Sequence, residues 1–135
     1  MSDVMSIAAS GMNDSTLRLS NAASNIANAL SVSPLPASGE AYRGFQPQDV
    51  VTLSSAAGGT GSGVTSVLRA RSPAYSATTG PDSAVAGASG LVATPNTDPV
   101  MDVIAAKQAQ VSYGAEATIV RTGNEMQKRL LDTLS

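Results

Sequence analysis

Only a few residue patterns in this sequence could support chemistry, and each has a simpler structural explanation. Residues 58–63 are rich in glycine, but a loop that cradles phosphate groups needs Lys and then Ser or Thr after its last glycine, followed by a helix. Val64 and a stretch of alternating side chains follow instead, so residues 58–63 are predicted to be the tip of a β-hairpin. Asp98 and Asp102 share a helix turn, and capping of that helix explains both carboxylates.

The composition removes most catalytic and ligand-binding chemistry. The 135 residues include no His and no Cys, so the commonest general base and metal ligand and the thiolate nucleophile are absent. A net charge of −2 lacks the clustered positive charge that nucleic acids attract, and no apolar run approaches the roughly 18 residues of a membrane-spanning helix. We therefore expect no enzyme activity, no cofactor, no metal site, no nucleic-acid partner and no direct membrane insertion.

Glycine and proline divide the chain into three segments. Residues 1–30 are predicted to be an amino-terminal helix, residues 31–97 a middle segment with short β-strands and the glycine-rich loop, and residues 98–135 a carboxyl-terminal helix. The predicted fold is mainly α, with the two long terminal helices packed as one coiled-coil hairpin domain and a small β-hairpin or irregular segment between them.

The amino-terminal helix has an apolar seam with a polar stripe beside it. The seam follows the three-and-four spacing of coiled coils and consists of Met5, Ala8, Met12, Ser15, Leu19, Ala22, Ile26 and Ala29. The stripe consists of Asp14, Arg18, Asn21, Asn25 and Asn28. Two interpretations of the stripe are open: a solvated helix face, or amide side chains that hydrogen-bond across a close helix contact and fix its register.

The carboxyl-terminal helix has a defined start and one apolar stripe. Asp98 is predicted to cap its amino end, with Pro99 at the first helical position. Gly114 and Gly123 each disfavour the helix by about 1 kcal/mol relative to alanine. They are either tolerated weak points or sites of close helix approach, and the small residues on both helices favour the second interpretation. The stripe consists of Val111, Ala115, Ile119, Thr122, Met126 and Leu130.

Strands are predicted on both sides of the glycine-rich loop, at residues 48–53 and 63–70. Apolar and polar side chains alternate along the second of these stretches, as they do in a half-buried strand. A further short strand is predicted near residues 74–78, and residues 79–90 are predicted to be extended.

The apolar content is low for so much helix. Leu, Ile, Val and Phe total 27 of 135 residues, which is near the level of disordered chains, although the low net charge argues against full disorder. Seams made of Ala, Gly, Met and Ser bury too little apolar surface to offset the conformational entropy that two long helices lose on ordering. We therefore predict that the helices are completed by other chains, as in a subunit of a helical assembly.

The amino-terminal half resembles the bacterial flagellar rod and hook proteins. Residues 9–12 read Ala-Ser-Gly-Met, and residues 21–29 contain Ser-Asn-Ile-Ala-Asn. Both resemble the amino-terminal signature of that family, and Tyr42-Arg43 resembles its downstream Tyr-basic pair.

The carboxyl-terminal half is most similar to the proximal rod protein C type of that family. The similarity lies in Pro81-Asp82-Ser83-Ala84, Gly90-Leu91-Val92, Pro95-Asn96 and Ser112-Tyr113-Gly114-Ala115. The sequence departs from the family pattern at Leu91, where an aromatic residue is usual, and at Glu116, where Asn is usual. Residues 30–41 also replace the family's Thr-Pro-Gly-Tyr turn.

The resemblance implies a structural subunit of the flagellar basal-body rod. Such a subunit is exported unfolded by the flagellar type III apparatus, and the amino terminus has no pattern of a cleaved signal peptide. It would assemble across the periplasm into a hollow axial structure that transmits torque for motility, with its terminal helices nearest the channel. The implied partners are further copies of the chain, other rod subunits, basal-body ring proteins and the export apparatus.

The assembly interface is predicted on the two helices. It consists of Ile7, Gly11, Met12, Leu19, Ala22, Asn25, Ile26, Ala27, Asn28, Val111, Ala115, Ile119, Met126 and Leu130. The alternative function is a stand-alone helical-hairpin adaptor that binds one partner helix and is folded and discrete by itself. A third hypothesis, an enzyme, would need a concave pocket with convergent polar groups, for which the sequence offers no candidate.

Overall fold

The computed structural model describes residues 2–57, 60–80 and 82–134. The elements are α1 (Ser2–Ala27), β1 (Gln48–Ala57), β2 (Thr60–Ala70), β3 (Tyr75–Thr79), β4 (Leu91–Pro95) and α2 (Pro99–Leu134). Helix takes up 48% and strand 24% of the described residues. Of the hairpin tip predicted at residues 58–63, residues 60–63 belong to β2, whereas Gly58 and Gly59 lie outside the described residues, as does Pro81 of the family resemblance.

The predicted fold class, a mainly α chain with a terminal coiled-coil hairpin, is wrong. The chain has substantial strand content in two small antiparallel sheets, β1–β2 and β3–β4, and the terminal hairpin is not the arrangement found. β1 extends four residues beyond the predicted end at residue 53, and β2 begins three residues before residue 63. Strand pairing satisfies the backbone of these Ser-, Ala- and Gly-rich segments although their intrinsic strand propensity is weak.

Local sequence determines where the helices begin and end. The carboxylate of Asp98 accepts hydrogen bonds from the backbone N–H groups of Val100 and Met101, both at 3.1 Å, so the predicted cap of α2 is confirmed. α1 ends at Ala27, three residues earlier than predicted, and a hydrogen-bonded turn follows it.

The sheet β3–β4 lies in the second half of the middle segment. Its register pairs Tyr75 with Pro95 and Thr79 with Leu91, and Ser33 extends it by one bridge to β4, with backbone hydrogen bonds of 2.9 and 3.0 Å. β3 lies within one residue of the predicted strand. β4 was not predicted, because its five residues show no alternation. The described part of residues 79–90 forms mainly turns after Thr79, where an extended chain was predicted.

The chain contains two compact units, and each draws on both helices. Unit 1 comprises Met1–Ser20, Val50–Val67 and Ala105–Ser135, and unit 2 comprises Asn21–Asp49 and Leu68–Ile104. The buried side chains of unit 1 are mostly small, namely Ala8, Ser15 and Ala109. Those of unit 2 include Ala22, Asn25, Pro47, Val92, Ala93 and Asp102. Because alanine buries little apolar area, these cores leave most large apolar side chains outside.

Candidate functional site

The most prominent surface feature is the apolar side chains that the helices leave exposed. Eighteen large apolar side chains of the described residues are exposed, and thirteen of them lie on α1 or α2. Val111 is 73% exposed and Leu131 is 68% exposed. Folded monomers leave single apolar residues on their surface, but a row of them along one helix is typical of a surface that another protein covers.

The predicted interface residues of α2 are all exposed, and together they are called the exposed row. Val111, Ile119, Met126 and Leu130 are all exposed, and Ala115 is exposed between them. Their spacing of four or seven residues places them along one side of the helix.

The predicted interface residues of α1 are divided between surface and interior. Ile7, Leu19 and Ala27 are exposed, whereas Ala22 and Asn25 are buried in unit 2. The others are half-buried, namely Gly11, Met12, Ile26 and Asn28. Hence part of the predicted assembly interface lies within the chain's own fold, and part is free for a partner.

Within unit 1, the two helices meet at an apolar groove near the start of α1. Gly123 of α2 lies against Met5 there, and a Cβ atom on Gly123 would lie 3.2 Å from Cγ of Met5, so the methionine side chain would have to shift slightly. The groove has a volume of about 340 Å³. Val4, Ile119 and Met126 contribute to its walls. The atoms that Gly123 meets belong to a flexible side chain and not to the backbone of α1, and among the described residues nothing lies within 4 Å of a Cβ atom built on Gly114. Close helix approach at the two glycines therefore stays a prediction.

A second groove in unit 1 is bounded by α1, β2 and α2, and it contains the carboxylate of Glu116. Ser15 donates a hydrogen bond of 3.1 Å to Oε2 of Glu116. The rest of that carboxyl group lies over Gly11, where a Cβ atom would come within 2.8 Å of Cδ of Glu116. The groove has a volume of about 320 Å³, and its walls include Ile7 and Ile119.

Asp14, also in this groove, is the centre of a polar cluster. The spacing of four residues predicts its pair with Arg18, which is confirmed, but not its contacts with the strands. Arg18 donates a hydrogen bond of 2.8 Å to Oδ2 of Asp14, and Thr52 donates one of 2.6 Å to Oδ1. Ser66 donates to the same Oδ1 atom, and Arg18 also donates to Thr52. Burial alone would raise the pKa of Asp14, but the hydrogen bonds from Ser66, Thr52 and Arg18, with the charge of Arg18, lower it overall.

The asparagines of the polar stripe bind the start of β1 in unit 2. Nδ2 of Asn25 donates a 3.0 Å hydrogen bond to the carbonyl oxygen of Gln48, and its Oδ1 accepts one of 3.3 Å from the N–H of Gln48. Asn21 donates to the same carbonyl at 2.7 Å. Asn25 also donates to Oδ1 of Asp102 on α2, at 3.2 Å. The stripe is therefore not simply a solvated face: it forms one contact between helices, as the second interpretation predicted, but its main role is to hold β1.

Arg71, just after β2, joins three parts of unit 2. Its Nη2 donates a 2.7 Å hydrogen bond to Asp49 and lies 3.7 Å from Oδ1 of Asp102, and its Nη1 donates to the carbonyl of Asn96 at 3.1 Å. The hydrogen bond with Asp49 raises the pKa of Arg71 above its ordinary value. A single arginine between strands gives no signal in the sequence that would identify this role.

Neither a metal-binding group of side chains nor a membrane-spanning helix is found among the described residues. Residues 2–57, 60–80 and 82–134 contain no group of three or more carboxylates placed to hold a metal ion. In the same part of the chain, no helix is both long enough and apolar enough to cross a bilayer. The surface that remains as a candidate functional site is the exposed apolar row with its two grooves.

Comparison with known proteins adds no relative to this picture. No family model matches the sequence, and none of the curated proteins is significantly similar to it. The resemblance to flagellar rod proteins therefore stays a prediction from the sequence.

Proposed function

We propose that this chain is a structural subunit of the bacterial flagellar basal-body rod. In this proposal the chain performs no catalysis. It assembles in the periplasm with further copies and other rod subunits, contacts basal-body ring proteins, and reaches its place through the flagellar export apparatus. Its mechanical role is to transmit torque through contacts between helices.

One observation carries the proposal: the helices leave most of their large apolar side chains exposed, and the apolar side chains that they bury fully are alanines. Val111, Ile119, Met126 and Leu130 on α2 need a partner to remove them from water. A rod surrounds each subunit with others, so it supplies such partners along a whole helix. The family signature in α1 and the Tyr-Gly-Ala stretch at residues 113–115 add the resemblance to this physical argument.

In the proposed rod, torque passes between subunits through the side chains that are packed at their contacts. A helix that is exposed along one side gains rigidity when neighbouring helices cover that side, because covered side chains lose alternative rotamers and backbone hydrogen bonds are shielded from water. Load applied at one subunit would then pass to several neighbours through apolar contacts.

Complementation of a motility defect tests the proposal. In a strain that lacks this gene, wild-type protein is expected to restore swimming, whereas Leu130→Asp or Val111→Asp abolishes swimming and removes the chain from purified basal bodies. A carboxylate at these exposed positions is tolerated in the monomer but cannot be buried between subunits without a cost of several kcal/mol, so association falls at least 100-fold.

The matched control for this experiment is Asn124→Asp. Asn124 is also exposed on α2, but it lies about a third of a turn away from Leu130 around the helix axis, and this variant should swim normally. Normal swimming by both Leu130→Asp and Val111→Asp would overturn the proposal. A soluble one-to-one complex with a single partner protein, with no chain in the basal body, would instead favour the adaptor.

A further inference from the structure

Glu116 carries a half-buried charge that has no cationic partner. Its carboxylate accepts a hydrogen bond from Ser15 and rests over Gly11. The ion pairs of the described residues all involve Arg18 or Arg71, and none of them includes Glu116. A carboxylate held against apolar walls is less well solvated than one in water, so a cation brought beside it would be stabilised.

The other carboxylate of the same groove cannot take that cation. Both oxygens of Asp14 are already bonded, by Arg18 on one side and by Thr52 and Ser66 on the other. Glu116 is therefore the acidic group in this groove that is available to a partner.

The groove has the shape and polarity to hold a long side chain that ends in a positive charge. Its walls are mostly apolar and include Val4, Ile7, Val64 and Ile119, and its volume is about 320 Å³. The aliphatic stem of Arg or Lys packs on such walls while the charged end reaches an acidic group. Arg suits this position better than Lys, because its planar guanidinium can bind a carboxylate through two hydrogen bonds.

We propose that the guanidinium of Arg129 from a second copy of this chain pairs with Glu116 in this groove. This inference rests on the proposed function and names the contact through which copies join. Met126, Arg129 and Leu130 are spaced by three and four residues, so they share one side of α2, and all three are exposed. This side therefore offers two apolar side chains and one cation to a groove that has apolar walls and one unpaired anion.

The other cations near the end of α2 are less suited to this contact. Arg121 and Lys128 are seven residues apart and thus share a side of the helix, but each lies two residues from an apolar member of the row, Ile119 or Met126. Two residues correspond to about 200° around the helix axis, so both cations face away from the apolar side.

The contact joins two different surfaces, the groove of one copy and the Arg129 side of α2 of the next. This difference determines whether the assembly can continue beyond two copies. Glu116 and Arg129 are both on α2, so each copy can use its own groove for one neighbour and its own Arg129 for another. Such a head-to-tail contact can continue from copy to copy into a chain or helix of subunits, whereas a contact between identical patches stops at a dimer.

Reversing the two charges, separately and together, tests the pairing. Glu116→Arg and Arg129→Glu should each reduce self-association of the purified chain at least tenfold in sedimentation velocity at low salt, because like charges then meet. An equimolar mixture of the two variants should associate to within about threefold of wild type, since each supplies the charge that the other lacks. The double variant should recover in the same way.

Two controls separate charge pairing from structural damage. Arg121→Glu reverses a charge on the opposite side of α2 and should leave association unchanged. The far-ultraviolet circular dichroism of every variant should match that of wild type. A merely structural role of Glu116 would not be rescued by mixing two damaged chains.

The outcomes distinguish this inference from the proposed function. If wild type associates and the mixture of variants does not recover, the Glu116–Arg129 pairing is overturned, while the swimming test of Leu130→Asp still decides the function. If wild type stays monomeric at millimolar concentration, a second copy is not the occupant and the inference is likewise overturned. Recovery of association by the mixture supports it.

Discussion

Asp14 and Glu116 line the same groove, but their surroundings give them different roles. Asp14 is saturated by Arg18, Thr52 and Ser66, which bring α1 and both strands of the hairpin to one carboxylate. That arrangement stabilises the fold of unit 1. Among the described residues, the donor to Glu116 is the hydroxyl of Ser15, so its charge can contribute to association.

The lowered pKa of Asp14 predicts a specific dependence of stability on pH. Because folding lowers this pKa, the ionised carboxylate contributes its full stability above about pH 4, the ordinary pKa of Asp, and the contribution is lost as the pH falls through the lower folded-state value. Asp14→Asn should therefore reduce the free energy of unfolding by about 2 kcal/mol at pH 7, and the difference from wild type should shrink below pH 4.

Urea denaturation at pH 7 and at pH 2.5 measures this difference. Asp82→Asn is the matched control: Asp82 is exposed in a turn, and its replacement should change the free energy of unfolding by less than about 0.5 kcal/mol at neutral pH. A difference between wild type and Asp14→Asn that is the same at both pH values would contradict the assignment.

The helices could be predicted from the sequence because the residues that determine them are close together along the chain. The Asp98 cap, Pro99 and the apolar spacing along α2 lie within a few residues of one another, and the helix begins within one residue of the prediction. The strands could be predicted only in part. β4 forms by pairing with β3 and with Ser33, and Ser33 lies sixty residues from its partner Ala93 along the chain. No local pattern contains that information.

The candidate site was predictable to a similar degree. Spacing alone identified the exposed row on α2, because periodicity determines which side chains share a side. The spacing did not predict that Ala22 and Asn25 are buried. Both were predicted at the assembly interface, yet both are buried in unit 2. For Asn25 the contact that goes with burial is the one with Gln48 at the start of β1, which lies 23 residues away along the chain.

At the level of elements, Asn25 is expected to be the main attachment of β1 to α1. Asn25 is 1% exposed and forms three hydrogen bonds, two of them with the backbone of Gln48. Asn25→Ala removes all three hydrogen bonds and takes the acceptor away from the N–H of Gln48, so it should lower the free energy of unfolding by about 3 kcal/mol. Asn28→Ala is the control, because Asn28 donates only to Ser24 within its own turn, and about 0.5 kcal/mol or less is expected. Equal losses in urea denaturation would show that Asn25 has no special role.

At the level of the molecule, the interior of unit 2 and the carboxyl-terminal part of α2 differ in how far their side chains are buried. Unit 2 buries Val92, Ala93 and Asn25 around β4 and the end of α1, whereas α2 in unit 1 is exposed throughout residues 124–133. A helical segment without packed neighbours opens easily. The contacts that keep unit 2 ordered therefore lie within the chain, whereas the end of α2 depends on neighbouring subunits for its order.

Hydrogen exchange tests this difference. In the isolated chain, amides of residues 124–133 should exchange at least tenfold faster than those of Val92 and Ala93. In purified basal bodies, residues 124–133 should become at least tenfold more protected, whereas Val92 and Ala93, already buried, should change little. Protection at residues 124–133 that is unaltered by assembly would mean that no subunit covers this part of α2.

The hydrogen bonds between Asn25 and Gln48 use a side chain on one partner and only main-chain atoms on the other. Amino-acid substitutions are therefore tolerated differently at positions 25 and 48. At position 48 any amino acid except proline retains the N–H and C=O groups that Asn25 requires, so this site is free to vary over generations. Position 25 has no such freedom, because among the twenty side chains only Asn offers a donor and an acceptor at this reach.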